Sequence, residues 1–266
     1  PMRMGAQSTR RARPCGGVAC TRPAAAASSP ARQPPPPGPG RRRAVGQAVG
    51  TFSGGTWHSA IGAMSRLGQQ RKRPARGGGG GRSARKERMR AQRLGERLGW
   101  VLPMPTIDPD IVVRTARELE VYGPDFRYGH YLRAGKLTKA ASIAAGVGAV
   151  ALLAQAGPTR RWLLKVKAPG QGPSAAERER SFFNVTFIAT EGRRRLVTRV
   201  SGGDPGYGET SKMLSECGLA LVLDRERLPD RRGVLTPVLA LGDVLLERLS
   251  AAGIAFEVVS DTREGA

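Results

Sequence analysis

"VSGGDPGYGETSKMLSECGLALVLD", residues 200–224, is the stretch on which the reading of this chain turns. A β-type run, "RRRLVTRVSG" (193–202), stops at two glycines, passes through Asp204-Pro205-Gly206-Tyr207 and becomes helical. Gly202, Gly203 and Gly206 accept backbone angles that other residues resist, and Pro205 fixes its own φ. Asp204 is suited to accept hydrogen bonds from the free N–H groups that open a helix. The stretch therefore predicts a strand, a capped turn and a helix from about Tyr207 to Leu223. The same turn can form the rim of a cleft, with Asp204, Gly206 and Tyr207 against substrate and Tyr207 as a candidate to donate a proton or orient a carbonyl.

Upstream, "SFFNVTFIAT" (181–190) sets Phe183, Val185, Phe187 and Ala189 against Asn184, Thr186 and Ile188. With Glu191-Gly192 before the next β-type run, this predicts an antiparallel hairpin. Downstream, Thr236-Pro237 opens a predicted helix over 238–253 that stops at Gly253. "IAFEVV" (254–259) is a final strand. Earlier, Asp108-Pro109 starts a predicted helix through 123, half-buried through Ile111, Val112, Leu119 and Val121. The order gives an α+β domain with an antiparallel or mixed sheet covered by helices.

"AASIAAGVGAVALLAQAG" (140–157) carries no charge and sits at the lower edge of a membrane span. It reads as a packed core or interfacial helix, or as a membrane-embedded one. The flanking Lys136, Lys139, Arg160, Arg161, Lys165 and Lys167 suit an anionic lipid surface. Its Gly146-x-Gly148-x-x-Ala151 is not read as a dinucleotide fingerprint: the residues immediately before it read as helical and Ala-rich, and the nearest downstream acid is Glu177.

The 266 residues carry a formal net charge of +23, unevenly spread. Residues 1–99 hold 21 Lys and Arg against Glu87 and Glu96 alone, whereas residues 100–266 hold 23 against 19 acids. Residues 1–43 are Arg, Pro, Ala and Gly without an aromatic and are expected to be a disordered basic segment. The Arg/Gly-rich 66–99 is expected to be a disordered spacer, and Gly77–Gly81 within it lacks the strand and Gly-Lys-Ser/Thr of a phosphate loop. The basic region has no aromatics interleaved for base stacking, so a nucleic-acid partner is not favoured. The N-terminus lacks the apolar core of a secretory signal. An intracellular, membrane-associated protein is expected, with an organelle transit peptide as an alternative. Three cysteines give neither a disulfide framework nor a zinc site, and Cys217 falls on the inward side of its helix. His58 and His130 are the only histidines, the latter near Asp125, and neither is expected to be catalytic.

The elements Gly203-Asp204-Pro205-Gly206-Tyr207, Gly233-Val234-Leu235-Thr236-Pro237 and Gly242-Asp243 follow in an order that resembles the C-terminal portion of the saccharopine-dehydrogenase-like oxidoreductases. The branch most similar is the trans-acting enoyl reductases. "FSGGTWHSA" (52–60) and "DFRY" (125–128) look like earlier family segments, which sets 44–65 apart as a short family-like fragment and 100–266 as the α+β domain. The resemblance implies an NADP- or NAD-dependent enzyme, with a Rossmann domain preceding the α+β domain, that reduces a lipid-like or polyketide substrate. A homodimer is among the assemblies it allows. Ser53, Gly54, Gly55 and Thr236 join Asp204, Gly206 and Tyr207 as substrate-binding candidates, with Thr56 as a helix cap. No strand–Gly-x-Gly-x-x-Gly–helix unit precedes residue 100, so no cofactor-binding residue is identifiable. The expectation is a chain without its Rossmann domain and inactive as written, with 1–43 and 66–99 carrying the composition of GC-rich DNA read out of frame. The other reading is a non-catalytic module whose basic tail contacts anionic membrane or nucleic acid.

Overall fold

A computed structural model describes residues 40–49, 53–66, 83–104 and 106–263. The expected disorder of 1–43, apart from its last four residues, and residues 67–82 of the spacer lie outside these residues. An eight-stranded mixed sheet organises the described chain. In chain order the elements are β1 (Gly40–Val49), α1 (Gly54–Ser65), β2 (Ser83–Lys86), β3 (Gln92–Arg93), α2 (Gly95–Leu98), β4 (Trp100–Pro103), α3 (Asp108–Glu118), β5 (Asp125–Gly135), α4 (Leu137–Leu153), α5 (Gly157–Lys165), α6 (Ala175–Arg180), β6 (Phe182–Glu191), β7 (Arg194–Gly202), α7 (Gly208–Leu223), α8 (Pro237–Ala251) and β8 (Ala255–Arg263). The strand order is β3-β4-β5-β1-β6-β7-β8, with β2 also paired to β5. Strands β1 and β2 run parallel to β5, and the other pairs are antiparallel.

The α+β expectation, the β6–β7 hairpin, α7, α8 and β8 are all present. The turn residue Gly192 takes φ 51°, and Gly253 stops α8 at φ 91°. The five strands before residue 136 go beyond the sequence reading, and several run counter to it. β1 begins inside the segment expected to be disordered and sits between β5 and β6. β2, β3 and α2 fall within the expected spacer. Charge runs hid them, because charges there are neutralised by partners distant in sequence. The Arg43 guanidinium forks onto Glu87 at 2.9 and 2.7 Å, and that charge-assisted pair lets an arginine occupy a central strand.

The sheet has two unlike faces. On one, Ala44, Phe126 and Tyr128 pack under Val113 and Ala116 of α3, with Val185 and Phe187 beside them. On the other, Val45, Val101, Tyr131 and Ile188 form a second cluster covered by Met89, Leu94 and Leu98. The buried residues of α3 are Pro109, Val113, Thr115 and Ala116, whereas Ile111, and Val121 beyond the helix, are exposed. Val112 and Leu119 are half-buried as expected, and the departures are the exposure of Ile111 and Val121 and the end of the helix at Glu118 rather than 123. Cys217 joins Ala220, Leu241 and Val244 between α7 and α8, and burial pushes its thiol pKa up, with Glu216 adding to the effect. It behaves as a small core residue.

Helices α4 and α5 leave the sheet after β5 and bend by 120° at the break between them. Ala154 and Leu163 clamp onto Ile61 of α1, with Trp57 and Val150 alongside. Neither helix alone is long and apolar enough to cross a membrane. The expectation of a tightly packed core helix over 140–157 does not hold. Between Ala141 and Leu153 no side chain is buried, and only Ile143, Val150 and Ala151 are half-buried.

Candidate functional site

The turn after β7 is built as its residues dictate. Asp204 accepts hydrogen bonds from the N–H groups of Gly206, Tyr207 and Gly208, at 3.4, 2.8 and 3.0 Å. It thereby caps α7 from outside the helix. Burial disfavours its charge, but these three N–H donors outweigh that and hold its pKa below the usual carboxylate value. The two glycines before it have contact reasons. A Cβ at Gly202 would lie 2.7 Å from the Phe183 ring and 3.2 Å from the Glu209 side chain. Gly203 donates its N–H to Glu209 Oε1 at 3.1 Å. Glu209, almost fully buried, also pairs with Lys212 at 2.7 Å.

Between the start of α7 and the sheet lies a cleft of about 280 Å³. Gly46, Leu132, Phe183 and Val185 form its sheet side, Pro205, Glu209 and Met213 its helix side, and His130 its one imidazole. His130 reaches it because β5 alternates: Phe126, Tyr128, His130, Leu132 and Ala134 share one face. A side chain at residue 46 would meet His130 Nε2 at 3.7 Å. The glycine therefore leaves the ring open to the cleft. On its far side Nδ1 faces Tyr128 Oη at 3.5 Å and Asp108 at 3.9 Å. Burial lowers the His130 pKa, and Asp108 opposes the shift. The acid beside His130 is thus Asp108, whereas Asp125 pairs with Arg127.

None of the seven sequence candidates lines the cleft. Pro205 lines the cleft, and the neighbouring Asp204 and Gly206 are spent on the α7 cap. Tyr207 points away: its hydroxyl lies over Gly172, where an added Cβ would approach to 2.9 Å. Ser53 caps α1 by accepting the Thr56 N–H at 3.0 Å, so Ser53 and not Thr56 is the cap. Gly54 is wedged against the 168–171 loop, donating to Gln171 O at 2.7 Å, and a Cβ there would sit 1.8 Å from Ala168 O. Gly55 follows on the same turn. Neither Ser53–Gly55 nor Tyr207 lines the cleft. Thr236 is elsewhere: buried ahead of α8, it shares a hydroxyl hydrogen bond with Thr115 of α3 at 2.7 Å. His58 Nε2 lies 2.9 Å from Leu164 O and 3.0 Å from Lys167 O, a structural tie between α1 and α5. The residues that sequence reasoning misses are His130 and Glu209. The period-2 pattern of 126–134 carries the first, and nothing local carries the second.

Among the described residues no group of His, Cys, Asp and Glu could hold a metal ion. Among the described residues no glycine-rich dinucleotide fingerprint follows a strand. The strand-to-helix turn with paired glycines, Ser53-Gly54-Gly55, has its Gly54 N–H and Ser53 Oγ already engaged within the protein.

Two comparisons give no match: no family model matches the chain, and no solved structure does. The curated proteins do. A Mycobacterium tuberculosis protein assigned as a trans-acting enoyl reductase is 40% identical over 208 residues, which are 74% of this chain and 47% of the relative. The trans-acting enoyl reductase of Mycobacterium ulcerans is 37% identical over 163 residues, 57% of this chain and 38% of the relative. That of Mycobacterium bovis is 39% identical over 155 residues, 54% and 37% respectively. The chain spans about half the length of the first of these relatives and somewhat over a third of the others.

Proposed function

We propose that this chain, homologous over 208 residues to the trans-acting enoyl reductases, forms the substrate-side region of an oxidoreductase that acts on an acyl chain. The cleft beneath α7 carries the reading. Leu132, Phe183, Val185 and Met213 offer apolar surface to a hydrocarbon chain. His130 lines the cleft with an open ring nitrogen, and Glu209 lines it from the helix side. In the tautomer in which Nδ1 accepts from the Tyr128 O–H, Nε2 carries the proton. It would then hydrogen-bond the carbonyl of an enoyl thioester and hold it in place. Its lowered pKa keeps the ring neutral near pH 7, which suits a hydrogen-bond donor to a neutral carbonyl. Homology suggests NAD(P) as the hydride source, although the described residues carry no dinucleotide fingerprint. Enoyl reduction, the polyketide or lipid-like nature of the substrate and the nicotinamide belong to the same proposal.

The test is calorimetric titration of the chain with an enoyl thioester of N-acetylcysteamine. Saturable binding is expected. Met213→Trp, which fills the cleft, should abolish it, and His130→Gln should weaken it up to about tenfold, the scale of one hydrogen bond. Binding that persists in Met213→Trp would place the acyl chain elsewhere. A parallel titration with NADPH reads the cofactor separately.

A further inference from the structure

We infer that the bent pair α4–α5 is a docking surface for an anionic lipid bilayer, lying in the interface rather than crossing it. The inference stands apart from the cleft and its substrate. Past its first turn α4 has no buried side chain, and the pair presents Leu137, Val147, Leu152, Trp162 and Val166 at 50–74% exposure. A patch of this kind, on helices held by the rest of the fold, marks an interaction site. What covers it is indicated by charge. No Asp or Glu occurs between Asp125 and Glu177, while Lys136, Lys139, Arg160, Arg161, Lys165 and Lys167 flank the apolar run. The first five are exposed. An apolar face bordered by cations alone complements an anionic headgroup layer over hydrocarbon. A second copy of this surface would instead bring like charges together.

Geometry sets the mode. The 17 residues of α4 span about 25 Å, less than the hydrocarbon thickness of about 30 Å, and the chain then turns by 120°. Its C-terminal end is clamped to α1 through Ala154 and Leu163, so it cannot insert upright without breaking that cluster. On α5, Trp162 and Val166 lie one turn apart, beside Arg161 and Lys165, also one turn apart. Apolar and basic residues thus share the outward side. Trp162, the most amphipathic of them, is suited to headgroup depth.

The experiment is flotation of the full chain with vesicles of phosphatidylcholine, with and without phosphatidylglycerol. The chain should float with the anionic vesicles, and binding should fall as salt rises. Arg161→Glu with Lys165→Glu should weaken binding by at least about fivefold for each basic residue lost. Leu152→Asp with Trp162→Ser should abolish it. All four positions are exposed, and circular dichroism checks that the variants fold. Equal flotation of parent and Leu152→Asp/Trp162→Ser would overturn the inference by assigning binding to the basic residues before 100. So would a chain that sediments with both vesicles, or one that self-associates through this face in ultracentrifugation and ignores lipid. The Met213→Trp variant, which closes the cleft, should float like the parent, so the two readings fail separately.

Discussion

Asp204, Gly54 and His130 show what single residues contribute. Asp204 alone meets three N–H groups at the head of α7. Asp204→Ala should cost about 1–2 kcal/mol in urea unfolding, the range of a lost helix cap; an unchanged midpoint would mean water replaces it. Its stabilisation is present above the ordinary Asp value of 3.8 and lost as pH falls through the lower folded value. Gly54 is fixed by contact: Ala168 O lies 1.8 Å from where a methyl group would be, so Gly54→Ala should destabilise by about 1–3 kcal/mol through overpacking. His130 has the same direction as Asp204 for a different reason. Burial lowers its folded pKa, so the unfolded chain takes up a proton first and stability falls as pH drops below about 6.5. In His130→Gln that part of the pH dependence should disappear from thermal melts; a slope equal to the parent's would assign it to other groups.

Elements owe their places to contacts of different range. The β6–β7 hairpin is local: alternation and a glycine turn define it, and the structure keeps its register from Phe183 opposite Gly202 to Glu191 opposite Arg194. α8 is less regular than its sequence implies, because Gly242 breaks it with φ 55° and ψ −138° beside Pro229. β1 depends on distance. Its Arg43 is acceptable in a central strand because Glu87, 44 residues on, meets it. Glu87→Gln should therefore destabilise by about 2 kcal/mol, the scale of hydrogen bonds to a charged group. A double-mutant cycle with Arg43→Gln should recover most of that loss if the pair acts as one unit.

For the whole molecule, the position of β1 overrides the boundary read from composition. The sequence suggests a domain beginning near Trp100, yet β5 and β6 flank β1 on either side. A fragment of residues 100–266 would expose both of those edges and remove Ala44 and Val45 from the two core clusters. Such a fragment should show no cooperative thermal transition, while residues 40–266 should. A sharp transition in the shorter piece would restore the compositional boundary. The two sheet faces also divide the molecule's work: one carries α3, α7 and the cleft, and the other is closed in part by Met89, Leu94 and Leu98.

Local pattern determined the α+β class, the hairpin, helices α3, α7 and α8 and the cap at Asp204, because each depends on neighbours within a few residues. It also carried the kinship with the trans-acting enoyl reductases, since short motifs in fixed order survive in sequence. Tertiary structure alone decided the centre of the sheet, the surroundings of His130 and the exposure of α4. A charge run reads as solvated until its counter-charge arrives from another strand. A lone histidine reads as inert until Gly46 and Glu209 are brought across the cleft from β1 and α7. An apolar helix reads as core until the fold is seen to leave it uncovered.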